Sequence, residues 1–421
     1  MREHNLRGRR RISREIIRRW AHRRLRSDQN QACMMAADQD HSTAASPAQF
    51  ADSPFSRVLH QPLILGLFLP VQSGGWSASL LPRTTDWTFD YNTTLTRRAE
   101  ALGFDLVFGL AQWTSKGGYG GISKYREESL DPFITVTALS AITERILLIS
   151  TIHVLFGPWH PLHIAKFGAT LDHISGGRWG INVVTGYSPR EARMFGGHHI
   201  EHDRRYEMAD EFTAMTCRLW GASDDLTLQG KFWSVDKAFV TPKPRYGRPL
   251  LVNATGSPAG IEYAARHSDL VFITSPAGHE IDAAFDALPA HNAMIKAAGA
   301  ERGRELRTII NPMIVCRETD REAQRYHRAI LDAADRGAIE GFFAHQQSGD
   351  AVAWKAHGDT HRALGGNIQI IGSPETVVDK LVGLKRAGCD GIQVAFFDFA
   401  PDLELFGEAV LPLMYDAGLR I

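Results

Sequence analysis

From residue 62 onward the chain alternates between short apolar, β-branched runs and longer amphipathic segments, and this alternation narrows the folds open to it. The short runs predict eight strands, at residues 63–69, 106–110, 146–152, 179–184, 250–253, 270–274, 309–316 and 391–396. The amphipathic segments predict eight helices, at residues 91–102, 132–143, 163–173, 204–220, 258–267, 283–298, 320–336 and 374–387. Strands separated in this way by helices are typical of a parallel barrel, so we expect an α/β fold, a (β/α)8 TIM barrel with insertions.

Residues 170–196 show the pattern most clearly. Gly176 and Gly177 follow an amphipathic segment and permit the positive backbone dihedrals that end a helix. Trp179–Val184 is a compact apolar run, which is typical of a strand buried on both faces. Polar residues begin where this run ends. Because a barrel of this kind carries its active site at the carboxyl ends of its strands, we expect the chemistry to lie here.

Composition excludes several classes of protein. The chain has 421 residues, of which 44% are hydrophobic and 22% charged, so it can bury a large core. Its four cysteines are scattered without C-x-x-C spacing, which argues against a zinc site or a disulfide framework and fits a reducing cytoplasm. No apolar run reaches the roughly 18–20 residues that a membrane helix needs. We therefore expect a cytoplasmic protein with no metal and no membrane partner.

The amino-terminal region differs from the rest of the chain. Residues 1–26 contain eleven arginines and only two glutamates, and a polar stretch follows them. An arm that binds nucleic acid or a membrane surface, a targeting peptide, and an extension upstream of a natural start at Met34 or Met35 are the competing interpretations. We expect a disordered extension over residues 1–57 and a single barrel domain over residues 58–421. The barrel has no matching basic excess, so we expect no nucleic-acid partner for it.

Two segments stand apart from the barrel pattern. Residues 337–366 form a long stretch before the last predicted strand, and long loops are usually functional or mobile, so this stretch is a candidate lid over the barrel mouth. Residues 117–121 are rich in glycine but lack the spacing of a nucleotide-binding motif, which makes a flexible loop the simpler interpretation.

The residues that follow the predicted strands are polar, aromatic and rich in glycine, with few carboxylates. The candidates at these ends are Trp76, Ala111, Gln112, Trp113, Thr151, His153, Trp159, His160, Asn182 and Ser257. Such a set suits a planar ligand that has hydrogen-bonding edges and a phosphate tail. It does not suit glycoside hydrolysis, which needs two opposed carboxylates, or a zinc hydrolase, because no His/Asp cluster has ligand spacing.

Each candidate also has a purely structural interpretation. Thr151 and Asn182 are short polar residues of the kind that satisfy backbone groups at strand ends. A single histidine such as His153 or His160 is more often structural than catalytic. Ser257 follows a glycine and opens a predicted helix, where free backbone amides favour a phosphate, but turns of this form are common. Local pattern alone leaves these alternatives open.

A set of sequence blocks, taken in order, carries a family resemblance. The blocks are TDWTFDYN at residues 85–92, AEALGFD at 99–105, GGYG at 117–120, DHISGGRWGINVVTGY at 172–187, HDRRYEMADEF at 202–212, GKFW at 230–233, TPKP at 241–244 and FGEAVLPLM at 406–414. From about residue 63 to residue 413 the chain resembles the bacterial luciferase-like flavin monooxygenases. Within them it is similar to the branch of dimethylsulfone monooxygenase and pyrimidine (uracil) oxygenase.

The resemblance implies a cofactor and partners. It implies reduced FMN delivered by a separate NAD(P)H-dependent flavin reductase, dioxygen, a small-molecule substrate, and assembly as a homodimer or homotetramer. The implied flavin contacts are Ala111, Gln112, Asn182, Glu191, Arg205, Tyr206 and Ser257. Thr151 is implied to lie near the flavin face, with His153 or His160 assisting proton transfer. Trp76, Trp113 and Trp159 are the expected substrate contacts.

The expected function is a two-component monooxygenase. We expect it to oxidise a small organosulfur compound, amide or N-heterocycle, with C–S or C–N cleavage or hydroxylation, while the cofactor carries out the oxygen chemistry. The chain departs from the uracil enzymes, which have a bulkier, basic pair in place of Ala111 and Gln112, and His153 is absent from the sulfone enzymes. The alternatives are a deazaflavin-dependent oxidoreductase of the same fold and a flavin-binding protein without catalysis.

Overall fold

The structure is a computed structural model that describes residues 44–155, 159–349, 364 and 368–421. Its strands are β1 (Ile64–Phe68), β2 (Leu106–Gly109), β3 (Leu147–His153), β4 (Trp179–Val184), β5 (Leu226–Gln229), β6 (Ser234–Ala238), β7 (Leu250–Ala254), β8 (Leu270–Ile273), β9 (Arg307–Ile310), β10 (Pro312–Cys316), β11 (Ile368–Gly372) and β12 (Gly391–Phe396).

The α-helices of this part of the chain are α1 (Pro54–Leu59), α2 (Phe89–Ala101), α3 (Pro132–Ser140), α4 (Pro161–Ser175), α5 (Pro189–Met194), α6 (His202–Gly221), α7 (Pro258–His267), α8 (Ile281–Ala300), α9 (Asp320–Asp332), α10 (Arg336–Ser348), α11 (Pro374–Arg386), α12 (Phe399–Leu405) and α13 (Leu411–Asp416). A 3-10 turn at Pro47–Gln49 precedes α1, and a π-helical turn at Phe406–Val410 joins α12 to α13.

Parallel strands close into a ring. The order around it is β1, β2, β3, β4, β7, β8, β9 and β12, and β12 pairs with β1 from Ile64 opposite Gly391 to Leu67 opposite Val394. β10 continues β9 beyond Asn311 and pairs with both β12 and β11. This eight-stranded parallel barrel with surrounding helices confirms the predicted TIM barrel.

The barrel forms because its strands are apolar on both faces. Every residue of β1, β2, β8 and β12 is buried. Trp179 at the start of β4 is fully buried and donates its indole N–H to Ser150 Oγ at 2.9 Å. Helix α4 approaches the Trp179 indole so closely that a Cβ on Gly168 would lie 2.6 Å from the indole ring. The predicted stop of α4 is confirmed, since Gly176 caps the helix with φ of +68°.

Several elements depart from the predicted pattern. The antiparallel hairpin of β5 and β6 was not predicted, because its strands are largely exposed and lack an apolar run. Strand β11 was not predicted either. The candidate lid over residues 337–366 begins as α10, which packs Ile339 and Phe342 against Tyr119 and Tyr125. Residues 350–363 and 365–366 of this candidate lid lie outside the described residues.

The compact unit that contains the barrel begins at Ala44, before the predicted boundary at residue 58. Ser46 donates to Asp269 at 2.7 Å, and Phe55 is buried in the main core. These contacts place residues 44–57 on the barrel rather than in the extension, whereas the arginine-rich residues 1–43 lie outside the described part. Among the described helices, none has the length and apolar character needed to cross a membrane.

Arg420, near the carboxyl end of the chain, binds residues at the starts of the first two strands. The guanidinium of Arg420, which is 3% exposed, forms a buried ion pair with Asp105 and donates to the carbonyls of Leu63 at 2.9 Å and Gly103 at 2.7 Å. Asp105 in turn accepts the backbone N–H of Leu65 at 2.7 Å. One ion pair therefore joins the carboxyl terminus to β1 and to the start of β2.

Arg420→Met is expected to lower the free energy of unfolding by about 3–5 kcal/mol, because it leaves the buried Asp105 carboxylate without its cation. Equilibrium denaturation by urea measures this loss. The matched control is Arg98→Met, which breaks the half-exposed pair with Glu404 and should change stability little. Equal losses in the two variants would contradict the importance of the buried pair.

Candidate active site

A cavity of about 240 Å³ opens at the carboxyl ends of the barrel strands. Its aromatic wall consists of Phe68, Trp76, Phe108, Tyr119, Tyr187, Tyr206, Phe272 and Phe342. Its polar wall consists of Gln112, Arg126, His153, Asn182, Thr185, Glu191, His202, Arg205, Asn253, Thr255, Ser257, Thr274, Asn311 and Gln346. The predicted site residues that line it are Trp76, Ala111, Gln112, His153, Asn182, Glu191, Arg205, Tyr206 and Ser257.

Asn182 and Thr151 lie opposite each other on β4 and β3. The amide Nδ2 of Asn182 donates to Thr151 Oγ1 at 2.9 Å, and both residues are buried. Within the described chain Asn182 Oδ1 has no hydrogen-bond partner, although it is buried beside the cavity. Thr151 therefore positions Asn182 from behind and leaves one amide oxygen available to a ligand.

The turn after β7 forms a small polar cradle, which we call the α7 cradle and define as Thr255, Ser257 and Gly260. Ser257 caps α7 by accepting the Gly260 N–H at 3.1 Å. Thr255 Oγ1 is buried without a hydrogen bond to any described residue. A Cβ on Gly260 would collide with Thr255 Oγ1 and lie 2.6 Å from the Tyr206 hydroxyl, so only glycine fits. The first amides of a helix attract an anion.

Arg205 and Tyr206 lie in the first turn of α6, on the same side as the α7 cradle. Arg205 is 3% exposed and donates Nη1 to the Ile200 carbonyl at 2.5 Å. The Tyr206 ring lies 5.1 Å from the His202 ring, and its hydroxyl meets the cradle at Gly260. A permanent cation and a helix amino terminus thus share one side of the cavity.

Glu191 on α5 is the acidic residue of the cavity wall. Its backbone N–H donates to the capping Ser188 Oγ at 3.2 Å, and the residue is 5% exposed. Burial raises the pKa of Glu191 to about 7, against the opposing effects of a hydrogen bond from the Trp113 backbone and the charge of Arg190. This carboxyl group can therefore hold a proton near neutral pH.

His153 ends β3 and faces the cavity. Burial lowers its pKa to about 4, so the imidazole is neutral at neutral pH. A neutral imidazole has one ring nitrogen that donates and one that accepts a hydrogen bond, and it contributes no charge to the cavity.

Four predicted site residues are not on the cavity wall that the structure describes. They are Thr151, which lies behind Asn182, and His160, Trp113 and Trp159. His160 is the N-cap of α4, where its Nδ1 accepts the Leu162 N–H at 3.1 Å. The Trp159 ring lies 6.2 Å from the Phe133 ring, and Trp113 is 40% exposed and lies edge-on to Phe195 at 5.0 Å. The roles expected of these residues in proton transfer and substrate binding stay predictions.

The sequence analysis missed the wall opposite the α7 cradle. Arg126 in the loop between β2 and α3 lies 4.6 Å above the Trp76 ring, and Phe342 of α10 lies 5.2 Å from the same guanidinium. Both residues line the cavity. Arg126 and Phe342 face the cavity because the glycine-rich loop and α10 contact each other. No periodic pattern in the sequence indicates this contact.

A metal centre is not formed by the part of the chain that the structure describes. Its His, Cys, Asp and Glu side chains contain no group of three or more arranged to hold a metal ion.

Comparisons with known proteins agree with the fold. Residues 64–391 match the family model for luciferase-like monooxygenases. The FMNH2-dependent dimethylsulfone monooxygenase of Pseudomonas fluorescens (strain Pf0-1) is 31% identical over 82% of this chain and 93% of its own. The pyrimidine monooxygenase RutA of Allorhizobium ampelinum is 31% identical over 83% and 95%.

Among solved structures, a riboflavin lyase with modified FMN and riboflavin superposes with a TM-score of 0.74 at 23% identity. The superposition covers 86% of this chain and 93% of that chain. The match to the family model begins at the first residue of β1 and ends at the first residue of β12. The resemblance seen in the sequence blocks is confirmed: the chain belongs to the luciferase-like monooxygenase family.

Proposed function

We propose that this protein is a monooxygenase that uses reduced FMN and dioxygen to oxidise a small organic molecule. In this proposal a separate NAD(P)H-dependent reductase supplies the reduced flavin. The substrate is an organosulfur compound, an amide or an N-heterocycle, and the reaction is C–S or C–N cleavage or hydroxylation. The observation that carries the proposal is a cavity lined by aromatic side chains that has a polar, anion-binding cradle at the start of α7.

The names of the relatives support the cofactor. The Pseudomonas relative is named as FMNH2-dependent, and both curated relatives are named as monooxygenases. They match this chain over more than four-fifths of its length.

The α7 cradle fits the phosphate of FMN. Thr255 has a buried hydroxyl oxygen that bonds with no described residue, and the absence of a side chain at Gly260 lets this hydroxyl and that of Tyr206 approach the first turn of α7. The helix amino terminus and the Arg205 guanidinium add the positive potential that a phosphate dianion requires. Ser257, Thr255 and Arg205 would therefore hold the phosphate end.

The side of the cavity between β2 and β4 fits the flavin ring. Asn182 Oδ1 is a buried acceptor that bonds with no described residue, and it is held in place by Thr151. It would accept a hydrogen bond from a ring N–H. Ala111 and Gln112, at the end of β2, would contribute a small side chain and an amide to the same ring.

The flavin, when bound, supplies the electrons that activate dioxygen. The aromatic residues of the wall exclude water from the reaction. His153 is neutral and can hydrogen-bond a substrate without charging the cavity. Glu191, whose pKa is about 7, can hold or release a proton at its carboxyl oxygens during turnover.

Oxygen consumption with reduced FMN and a flavin reductase, measured against a panel of sulfones, sulfonates, amides and N-heterocycles, tests the proposal. Coupled formation of an oxygenated product is the expected result. Failure to bind reduced FMN would remove the proposal, and tight binding of a deazaflavin in its place would favour the hydride-transfer alternative. Flavin binding with no coupled product for any panel member would favour a flavin-binding protein without catalysis.

Ser257→Ala is expected to weaken FMN binding about tenfold or more, because a hydrogen bond to a charged group contributes about 1.5–3 kcal/mol. Quenching of FMN fluorescence gives the dissociation constant. The control is Ser373→Ala, since Ser373 also caps a helix that starts with proline but lies outside the cavity wall. Both variants should lose similar helix stability, about 1 kcal/mol, and only the first should lose flavin affinity.

Glu191→Gln is expected to raise the melting temperature by a few degrees at pH 8 and to change it little at pH 5. The folded protein holds the Glu191 proton more tightly than the unfolded chain does. This stabilisation is present at low pH and is lost as the pH rises through about 7, where the buried carboxylate costs on the order of 3 kcal/mol.

Thermal unfolding of both proteins from pH 5 to pH 8 measures this difference. Glu340→Gln, at an exposed position of α10, is the control and should show no such dependence on pH. A difference between Glu191→Gln and the unmodified protein that stays constant with pH would contradict the raised pKa.

A further inference from the structure

Arg126 is a buried cation at the cavity wall. It is 3% exposed, and its guanidinium lies over three aromatic rings, at 4.6 Å from Trp76, 4.9 Å from Tyr125 and 5.2 Å from Phe342. Its hydrogen-bond acceptor is Gln112 Oε1, at 3.2 Å. Over residues 44–155, 159–349, 364 and 368–421, no carboxylate lies within ion-pair distance of it.

The backbone holds Arg126 in an unfavourable conformation. Its φ is +61°, a left-handed value that costs a residue with a side chain roughly 1–2 kcal/mol. The Arg126 N–H donates to the Ser73 carbonyl at 3.0 Å, and its carbonyl accepts from Gln112 Nε2 at 3.2 Å and Thr114 Oγ1 at 3.1 Å. Three hydrogen bonds therefore fix a strained residue whose side chain enters the cavity, and strain of this kind concentrates at functional sites.

The cavity wall carries a permanent positive charge in addition to the one proposed to bind the flavin phosphate. Its wall carries two guanidinium groups, Arg126 and Arg205, and a single carboxyl group, Glu191, that is only partly ionised near neutral pH. Arg205 lies with the α7 cradle, where the phosphate is proposed to bind. Among the residues that the structure describes, Arg126 has no carboxylate partner.

The two cations come from separate parts of the rim. Arg126 lies in the loop after β2 and stacks on Trp76, which follows β1, whereas the α7 cradle follows β7. In the ring order β1, β2, β3, β4, β7, β8, β9, β12, strand β7 is four strands from β1 and three from β2. We therefore do not expect a phosphate seated in the α7 cradle to form an ion pair with Arg126.

We propose that Arg126 binds an anionic group of the substrate, so that the molecule oxidised is an organic acid: a sulfonate, sulfinate or carboxylate. A desolvated guanidinium is costly without a counter-ion, and its planar N–H groups match two oxygens of one oxyanion. The stacked rings fix the plane of the guanidinium and leave its N–H edge to the ligand. This inference rests on the proposed flavin function and narrows its substrate class.

Pairs of isosteric probes test the charge alone. The pairs are propane-1-sulfonate with methyl propyl sulfone, propane-1-sulfinate with methyl propyl sulfoxide, and butanoate with butanamide. Each probe is titrated calorimetrically into the protein loaded with FMN, which occupies the α7 cradle. We expect the anion of at least one pair to bind ten times or more tighter than its neutral partner.

Variants of Arg126 test whether this residue is responsible for the preference for the anion. Arg126→Met should abolish it, and Arg126→Lys should keep a weaker preference because the charge remains while the two-pronged geometry is lost. Arg190→Met is the control. Arg190 contacts the same glycine-rich loop, donating to the Gly118 carbonyl at 3.3 Å, but does not line the cavity, so its removal should leave the preference unchanged.

FMN affinity and melting temperature of every variant separate loss of the site from loss of the fold. The unmodified protein alone can already overturn the inference. If it binds FMN but prefers the anion in no pair, or binds neither member of any pair, the inference is overturned and the flavin proposal stands. A preference that survives in Arg126→Met, or that disappears once FMN is loaded, also overturns it. Failure to bind FMN at all rejects the proposed function instead.

Discussion

Pairing of β12 with β1 closes the barrel, and the position of every site residue depends on that closure. The two strands are joined by main-chain hydrogen bonds, and the Arg420–Asp105 ion pair fastens the end of the chain beneath them. Since all strands of the ring are parallel, closure brings their carboxyl ends to one rim. Side chains that are widely separated in sequence, such as Trp76 and Ser257, therefore face one cavity.

Strong apolar runs made the barrel predictable. Strands buried on both faces are mostly apolar, so β1, β4 and β12 appear in the sequence as short apolar runs, interrupted by Asn182 in β4 and Gln393 in β12. The hairpin of β5 and β6 carries exposed residues in most positions, and pattern alone could not separate it from a loop. Helix α10 buries Ala338, Ile339, Phe342, His345 and Gln346 at helical spacing, but two of these five residues are polar, so the sequence does not show its buried face as an apolar stripe.

Sequence pattern indicated the cavity wall only at the ends of strands. Asn182 in β4, His153 at the end of β3 and Ser257 after β7 line the cavity. Residues brought in by loops and helices leave no such signal. The family resemblance was needed to indicate Glu191 and Arg205, which sequence pattern alone treats as solvated helix starts. Trp113 and Trp159 contact neighbouring rings and are not on the described cavity wall, so their expected contact with substrate stays a prediction.

The charges of the cavity fit a chemistry in which the cofactor does the oxidation. Burial removes the charge of His153 and suppresses that of Glu191, whereas guanidinium groups keep theirs at any accessible pH. The fixed charges are thus both positive, and they come from separate elements, the loop after β2 and the start of α6. If a flavin phosphate binds in the α7 cradle and an anionic substrate binds Arg126, as proposed, the uncharged parts of the two molecules share the space between these groups. The same electrostatics would then direct the uncharged reacting parts of both molecules toward each other.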